Sequence, residues 1–352
     1  METVKVLASR EYIVNIGKNY LDKIGEKISE IKSACRVVII SDDNVFPLYG
    51  EIVKNSLVDS GYSVCEFVVP NGEESKSFEN YHNILEFCAE NSITRTDLFV
   101  ALGGGVVGDL TGFVASTYLR GVDFVQIPTT VLSMVDSSVG GKTAINLKAG
   151  KNLCGSFCQP IAVFADCDTL NTLPQDRFCE GCAEIIKYGM ILDKDFLAFL
   201  QDNEIKENIE YVIKRCVEIK RDVVSRDEFE NGERKLLNFG HTIGHAIEKC
   251  SNFGITHGNA VAIGMAIATK GAYEVGVSAE DFSNVLLPIL EKNNLPTTCD
   301  ISAQDLYKAS LSDKKRSLDT MSVIVPEKLG LCKIVGLPVD ELEIFIAKGM
   351  QA

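Results

Sequence analysis

The sequence has no excess of positive charge. Lys and Arg number 35 against 49 Asp and Glu, which gives a formal net charge of −14. Nucleic acid and anionic membrane surfaces are also negatively charged, so a net-acidic chain is not generally attracted to either. We therefore expect no nucleic-acid partner and no membrane partner.

Long apolar segments are also missing. The N-terminus lacks the apolar core of a signal peptide. Residues 260–268 are among the longest apolar runs, whereas about 18 residues are needed to span a bilayer. These two absences predict a soluble, cytoplasmic protein.

The spacing of the cysteines does not indicate a disulfide framework. Twelve cysteines are spread through the 352 residues, as is typical of reduced core thiols in a cytoplasmic protein. Cys179 and Cys182 form a C-x-x-C pair, which raises the alternative of a redox or zinc site. Without a second such pair, a structural role is favoured.

The two halves of the chain differ in their patterns. Apolar runs at residues 37–41, 63–69, 97–102 and 122–127 alternate with helical patterns at 45–59 and 79–90, which predicts a parallel sheet with crossover helices. Beyond about residue 175 the pattern is helical, at 185–200, 209–223, 235–250 and 261–275, with a strand-like run at 321–325. We expect a Rossmann-like, mostly parallel α/β domain at 1–175 and a mainly α-helical domain at 176–352.

A glycine loop follows the third of these strand-like runs. Residues 103–109 read GGGVVGD, and positions 103, 105 and 108 satisfy G-x-G-x-x-G. Glycines allow backbone N–H groups to approach a pyrophosphate at a helix N-terminus, although such loops also serve as plain tight turns. Asp123 lies 20 residues beyond Gly103 but begins the next strand, so we do not assign it to a ribose.

Residues 120–159 carry polar and cationic side chains that do not suit a plain core. Lysines beside glycines can present cations to phosphate or carboxylate, whereas single lysines are usually solvated surface residues. Repetition of the pattern favours an anion site. The residues concerned are Arg120, Thr129, Thr130, Asp136, Lys142, Thr143, Asn146, Lys151 and Asn152.

Three of the four histidines, His241, His245 and His257, fall within 17 residues. On a helix, positions 241 and 245 share a face and can present two imidazoles to one metal ion. Glu184 is a candidate oxygen ligand because it is a carboxylate in an apolar helical stretch, with Lys187 one turn later. The alternative is that the histidines cap helices or hydrogen-bond in the core, and the spacing does not show which two would bind.

Together these segments resemble the 3-dehydroquinate synthase family over nearly the whole chain. The motifs that carry the resemblance are GGGVVGDLTGF, RGVDFVQIPTTVLSMVDSSVGGKTAINL, GKNLCGSF, GCAEIIKYG, LLNFGHTIGHAIE and HGNAVAIGM. The chain departs from the family at Asn259, where Glu is usual, and at Cys182, where Leu or Met is usual.

The resemblance implies NAD, a catalytic zinc or cobalt ion, an anionic sugar phosphate as substrate, and a homodimer. The metal would be bound by Glu184, His241 and His257, which leaves His245 as a substrate contact. The implied NAD contacts are Asp42, Asn44, Asn71, Gly72, Glu73, Glu74, Ser75, Lys76, Gly104, Gly105, Val106, Val107, Asp109, Thr129, Thr130, Asp136, Lys142, Lys151, Thr169, Leu170, Asn171 and Thr172. The implied substrate contacts are Arg120, Lys142, Lys151, Asn152, Lys187, Lys220, Arg234, Asn238 and His245, with Lys314 or its neighbour Lys315.

The family's reaction converts 3-deoxy-D-arabino-heptulosonate 7-phosphate to 3-dehydroquinate and phosphate, a carbon–oxygen lyase reaction. It passes through transient oxidation at C5 by NAD, phosphate elimination, re-reduction, ring opening and aldol closure. One alternative is another sugar phosphate cyclase, such as a scyllo-inosose or valiolone synthase. A second is a metal-dependent NAD polyol dehydrogenase, which would release NADH. A non-catalytic anion-binding protein is a third, but it would not need a redox nucleotide.

Overall fold

The computed structural model describes residues 1–311 and 319–351 and divides the chain into two compact units. The first unit comprises Met1–Leu173 and Ile213–Phe229, and the second comprises Pro174–Val212 and the chain from Glu230 onward. The segment 213–229, expected in the second domain, therefore belongs to the first unit.

Polar contacts explain why this segment belongs to the first unit. Lys214 Nζ donates to Glu2 Oε2 at 2.6 Å, and Gln159 Nε2 donates to Glu228 Oε1 at 2.8 Å. The segment is thus held by residues far from it in sequence, which a reading of periodicity along the chain does not reveal.

A seven-stranded sheet forms the centre of the first unit. Its order is β1-β2-β9-β6-β5-β3-β4, in which β1 is antiparallel to β2 and every other neighbouring pair is parallel. The strands of the first unit are β1 (Glu2–Val6), β2 (Tyr12–Gly17), β3 (Arg36–Asp42), β4 (Ser63–Val69), β5 (Leu98–Gly103), β6 (Asp123–Pro128), the separate hairpin β7 (Lys142–Leu147) and β8 (Gly150–Phe157), and β9 (Ala162–Asp166).

Both faces of the sheet are covered, which explains the continuous apolar runs. Val37 and Ile39 of β3 pack in one buried cluster, and Val38 and Ile40 pack in another, because alternate side chains point to opposite faces. The helices of the first unit that contribute to these clusters are α1 (Ile24–Ser29), α2 (Glu51–Asp59), α3 (Phe78–Glu90) and α4 (Gly105–Thr117). The expected parallel α/β architecture is confirmed.

The strand order creates a crevice between β3 and β5. The chain leaves β3 for β4 on one side and then crosses to β5 on the other side of β3. In open parallel sheets, ligands bind at the carboxyl ends of the strands where the order reverses in this way. Asp42 ends β3 and Gly103 ends β5, so the glycine loop lies at this crevice.

The second unit is mainly helical, as expected. Helix α7 (Ile209–Arg226) begins in this unit and continues into the first. The remaining elements are α5 (Gln175–Leu192), α6 (Lys194–Asp202), α8 (His241–Cys250), α9 (His257–Glu274), α10 (Ser283–Lys292), α11 (Ala303–Ser310), the hairpin β10 (Thr320–Lys328) and β11 (Leu331–Pro338), and α12 (Leu342–Gly349). Among the described residues, no helix combines the length and the apolar character that crossing a membrane requires.

Two of the expected helices are interrupted in the structure. The pattern at 185–200 divides at Asp193, whose Oδ1 accepts hydrogen bonds from Asp195 N and Phe196 N and so caps a new helix. The pattern at 235–250 divides at Gly240, whose φ of +78° lies in the left-handed region. The prediction of continuous helices was wrong at both places, because a cap and a glycine reset the backbone without disturbing the apolar spacing.

Glycines allow α8 and α9 to approach closely. A Cβ atom at Gly264 would lie 2.1 Å from Gly240 O and 2.9 Å from Gly244 N, and one at Gly244 would lie 3.1 Å from Ala260 O. These distances are to backbone atoms, which cannot move aside as a side chain can. The close crossing therefore depends on the missing side chains.

We expect Gly264→Ala to destabilise the protein. The overlap with backbone should outweigh the gain of about 1 kcal/mol in helix propensity, for a net loss of about 2 kcal/mol in the free energy of unfolding. Urea unfolding followed by circular dichroism measures this. Gly336→Ala is the matched control, because its Cβ would meet nothing nearer than 3.9 Å. Equal stability of the two variants would contradict the packing argument.

Candidate functional site

The residues implied as NAD contacts follow the strands of the parallel sheet. Asp42 ends β3, residues 71–76 follow β4, Gly104 follows β5, Thr129 follows β6 and residues 169–172 follow β9. Carboxyl ends of neighbouring parallel strands meet at one edge of a sheet. These implied nucleotide contacts therefore share the edge where α/β proteins bind ligands.

The glycine loop gives α4 an open N-terminus. Gly104 is extended (φ −75°, ψ −171°) before the first turn of α4, and no side chain in the described part of the chain caps that turn. A Cβ at Gly104 would lie 3.2 Å from the Thr130 methyl group, and one at Gly105 would lie 3.0 Å from Ser137 Oγ. The exposed N–H groups of such a helix start favour a phosphate group.

Two buried hydroxyl oxygens follow β6 at this edge. Thr129 Oγ1 and Ser137 Oγ have no hydrogen-bond partner among the residues that the structure describes. Thr129 N meanwhile donates to Gly103 O at 3.0 Å, which joins the loop after β6 to the glycine loop. Buried hydroxyls normally find a partner, so these atoms fit a site that a polar ligand completes.

Lys76 holds three segments of this edge together. Its Nζ donates to Asp109 Oδ2 of α4 at 2.7 Å and to Asn152 Oδ1 of β8 at 2.5 Å, and it lies 3.7 Å from Glu73 Oε1. Only 4% of Lys76 is exposed. This side chain therefore acts as an internal cross-link between the loop after β4, the glycine-loop helix and the hairpin.

The ion pairs keep Lys76 charged despite its burial. Burial alone would lower its pKa, but the charges of Asp109 and Glu73, and the hydrogen bonds to them, outweigh that effect and raise the pKa. Because the pKa is raised, the stabilisation is complete at neutral pH and is lost only as the pH rises through the folded-state pKa. The Lys76 ammonium therefore stays charged throughout the neutral range.

Other implied contacts in the first unit shape its loops. Asp42 Oδ1 accepts from Asn44 N and Val45 N, each at 2.9 Å, so this carboxylate closes its own turn. Lys220 Nζ donates to Asp136 Oδ1 and to Asp136 O, each at 2.6 Å. Lys220, implied as a substrate contact, thus pairs with an implied NAD contact.

The sequence reasoning missed two residues that shape the loop after β9. The Asp166 carboxylate accepts hydrogen bonds from four backbone N–H groups, those of residues 19, 20, 21 and 168. Tyr49 OH donates to Thr169 O at 3.1 Å and lies 2.5 Å from Thr172 Oγ1. No motif marks either residue, because both act through groups distant in sequence.

Arg120 is not brought to this edge within the chain. It follows the C-terminus of α4, shortly before β6 begins, so it lies at the opposite edge of the sheet, and it is exposed. Asp123 lies at that opposite edge too, where it pairs with Arg10 and Lys32, which agrees with not assigning it to a ribose. Lys142 and Lys151 are exposed on the β7–β8 hairpin.

Three helices of the second unit converge on one carboxylate. Glu184 of α5 is fully buried, and its Oε1 lies 3.4 Å from His241 Nε2 and 3.7 Å from His257 Nε2. His241 begins α8 and His257 begins α9. A Cβ at Gly258 would lie 2.2 Å from Glu180 O of α5, so the glycine after His257 permits this convergence.

Hydrogen bonds on the far side of each imidazole set its orientation. His241 Nδ1 lies 3.1 Å from Phe239 O, and His257 Nδ1 lies 3.1 Å from Glu248 Oε2. In the neutral imidazole, both acceptors favour the tautomer with the proton on Nδ1, which leaves the lone pair on Nε2. Both Nε2 atoms face Glu184 Oε1, as in a metal site whose ligands are aligned by outer partners.

The donor set fits a divalent metal ion. Glu184 Oε1 is buried and has no hydrogen-bond partner among the described residues, while Lys187 Nζ donates to the other oxygen, Oε2. The potential ligand atoms of Glu184, His241 and His257 all lie within 4.8 Å of one another. Two imidazoles and one carboxylate are the ligands of a catalytic zinc site that leaves further positions open.

Comparisons with known proteins identify the family. The family model described as the 3-dehydroquinate synthase N-terminal domain matches residues 66–180, and the C-terminal model matches residues 181–316. The chain belongs to the 3-dehydroquinate synthase family. A 3-dehydroquinate synthase from Enterococcus faecalis is 44% identical over 352 residues, which cover 98% of each chain.

Solved structures share the whole fold. A 2-deoxy-scyllo-inosose synthase complexed with carbaglucose-6-phosphate, NAD⁺ and Co²⁺ is 27% identical, with a TM-score of 0.88 over 99% of this chain and 100% of that one. A 2-epi-5-epi-valiolone synthase from Streptomyces hygroscopicus, with NAD⁺ and Zn²⁺ bound, has the same TM-score over 99% of each chain at 24% identity, which shows the fold alone.

Not every residue carried over from the 3-dehydroquinate synthase family lies in the cluster. His245 is exposed on α8, with its ring centroid 5.6 Å from that of His241, and it is not one of the three converging groups. Arg234 is buried with 1% exposure, and Asn238 Nδ2 donates to Glu230 Oε1 at 2.7 Å. Lys314 and Lys315 lie outside the described residues.

The C-x-x-C pair packs as core thiols. Cys179 and Cys182 are both buried, and Cys182 Sγ donates to Phe178 O at 3.4 Å. Burial raises the pKa of the Cys182 thiol, which disfavours the reactive thiolate.

Lys76→Met should weaken NAD binding by about tenfold or more and lower the free energy of unfolding by about 2 kcal/mol. The reason is that Asp109 then loses its buried counter-charge. Titration calorimetry and urea unfolding measure the two effects. Lys54→Met is the control, since its pair with Glu66 lies at the surface and should contribute little. Unchanged NAD affinity in Lys76→Met would show that the Lys76 cross-link does not contribute to NAD binding.

His257→Ala should raise the zinc dissociation constant by more than about 100-fold, because losing a ligand should cost more than losing an outer partner. Competition with a chromophoric chelator measures the constant. His82→Ala removes the exposed fourth histidine, on α3, and should bind zinc like the wild type. A His257→Ala protein that retains wild-type zinc affinity would exclude His257 as a ligand.

Proposed function

We propose that this chain is a 3-dehydroquinate synthase, a lyase that converts 3-deoxy-D-arabino-heptulosonate 7-phosphate to 3-dehydroquinate and phosphate. The observation that carries the proposal is the convergence of Glu184, His241 and His257 in the motifs of this family. The identity of 44% over nearly the full length of a protein with that name supports it.

Glu184, His241 and His257 would hold zinc or cobalt, and the edge around the glycine loop would hold NAD. Bound together, these groups would supply a Lewis acid for substrate hydroxyls and a hydride acceptor that is regenerated in each turnover. The unsatisfied oxygens described above, Glu184 Oε1 in one unit and Thr129 Oγ1 with Ser137 Oγ in the other, support these placements.

Buried cations give the second unit a means of binding an anion. Lys187 donates to Glu184 Oε2 and so fixes the carboxylate with its other oxygen turned toward the histidines. Arg234 lies in the turn that precedes α8 and keeps its charge at any physiological pH. In a site that excludes water, such cations stabilise developing negative charge strongly because they need no reorientation.

The exposed cations of the hairpin suit a different task. Lys142 and Lys151 sit on β7 and β8 in the first unit, beside glycines and open to solvent. We assign them to the phosphate and carboxylate of the substrate and to NAD. His245, exposed on α8, is assigned to the substrate as well. The homodimer and the cytoplasmic location implied by the family stay predictions.

The decisive experiment incubates the protein with the heptulosonate phosphate, NAD and zinc, and follows phosphate, dehydroquinate and NADH. We expect one phosphate per dehydroquinate and no accumulation of NADH. Prior chelation should abolish turnover, and zinc or cobalt should restore it.

Two outcomes would replace the proposal. Accumulation of NADH in step with product would indicate a polyol dehydrogenase. Faster turnover of another sugar phosphate, such as glucose 6-phosphate, would indicate a different cyclase, the class to which the 27% identical neighbour belongs.

A further inference from the structure

One face of α8 carries a buried carboxylate that the proposed reaction does not use. Glu248 lies seven residues after His241, close to two helical turns, so both side chains face the same side of the helix. Glu248 is only 4% exposed. A carboxylate is rarely buried without a partner that offsets its desolvation, and here that partner is His257, 3.1 Å away.

We propose that Glu248 is a positioning residue for the metal ligand His257. Its Oε2 accepts the Nδ1 proton and so fixes the tautomer in which Nε2 has the lone pair, with the ring plane turned toward Glu184 Oε1. A carboxylate acceptor also makes the imidazole a stronger donor than a neutral acceptor does. This inference rests on the metal site proposed above.

The two histidines differ in how much positioning they need. His241 is 11% exposed in its side chain and is held by the carbonyl of Phe239, two residues away. His257 is 32% exposed and stands at the first residue of α9. The more exposed ring is therefore held by a side chain from another helix, and the less exposed ring by local backbone.

The backbone around Glu248 is itself anchored. The main-chain oxygen of Glu248 accepts from Phe253 N at 2.7 Å and from Ser251 Oγ at 3.1 Å. The close crossing of α8 and α9 at Gly244 then sets the distance between the carboxylate and His257. The acceptor is thus fixed before a metal binds, which is what a positioning role requires.

A different role for Glu248 is geometrically available. The potential ligand atoms of His245, Glu248 and His257 also lie within 4.8 Å of one another, so Glu248 could instead bind a second ion. That arrangement would need the Nδ1 atom of His257 as a ligand. The distance of 3.1 Å is that of a hydrogen bond, and a carboxylate acceptor favours a proton on Nδ1, which supports the positioning role and one ion per chain.

Glu248→Ala should raise the zinc dissociation constant about 10- to 100-fold, the usual cost of an outer-shell partner. It should also change the visible spectrum of the cobalt-substituted protein. The constant is measured on the full chain by competition with a chromophoric chelator, with zinc stoichiometry determined in parallel. Glu248→Gln keeps the shape and an acceptor, so it should fold even if the alanine variant does not, and it should show a smaller loss in the same direction.

Two further variants distinguish a positioning role of Glu248 from an effect of surface charge and from the loss of a metal ligand. Glu274→Gln changes an exposed carboxylate on α9 that pairs with Lys270, and its zinc affinity should equal that of the wild type. Glu184→Gln removes a proposed ligand and should lose more affinity than either Glu248 variant. The melting temperature of the metal-free protein should be the same in wild type and Glu248→Gln, which a merely structural role would not give.

Three outcomes would overturn the inference. If Glu184→Gln loses zinc while both Glu248 variants bind it like the wild type, the positioning role fails and the metal site stands. If Glu184→Gln also binds zinc normally, both the site and the inference fail. If the wild type binds two zinc ions and Glu248→Ala binds one, Glu248 is a ligand instead.

Discussion

The second unit is organised around the two oxygens of the buried Glu184 carboxylate. Lys187 compensates one oxygen, and the other faces two imidazole nitrogens that carry lone pairs. In the neutral tautomer protonated on Nδ1, neither of those nitrogens donates a proton to Glu184 Oε1, so a bound cation would compensate the buried negative charge of this oxygen. Helices α5, α8 and α9 can create this arrangement only where glycines let their backbones meet.

The first unit brings together segments that are far apart in sequence. The six parallel strands do most of this, since their carboxyl ends share one edge of the sheet. Lys76, in the loop after β4, adds to this by its hydrogen bonds to Asp109 of α4 and Asn152 of β8. Breaking an ion pair between a buried ammonium and a carboxylate costs free energy. The loop after β4, α4 and the hairpin are therefore held in place before any ligand binds.

Sequence patterns predicted the elements in which most side chains are buried or in which one face is consistently buried. Strands β3, β5 and β6 were predicted because burial makes them largely apolar, and the edge strand β4 was predicted from its apolar side chains although most of it is only partly buried. Strands β1, β2 and β9 were not predicted, and residues 120–159, which include the hairpin β7–β8, were interpreted only as an anion site because their polar, cationic and glycine residues do not form a regular apolar pattern. The spacing of the three histidines did not show which two would bind the metal, because that depends on the position of Glu184 and on where α9 begins. Only the resemblance to the family indicated the pair His241 and His257. The place of Arg120 follows from the direction of α4, which no local pattern reveals.

The net charge of −14 is compatible with the proposed anionic substrate, because the net charge acts at long range whereas cations in the proposed site act at short range. At physiological salt, surface charges are screened beyond about 8 Å, so the acidic surface contributes little at a contact. Arg234 is 1% exposed, and a cation in a poorly hydrated interior interacts with an anion far more strongly than a surface lysine does. The acidic composition disfavours attraction to broad polyanion surfaces, while a buried cation in the proposed site would suffice to bind one small anion.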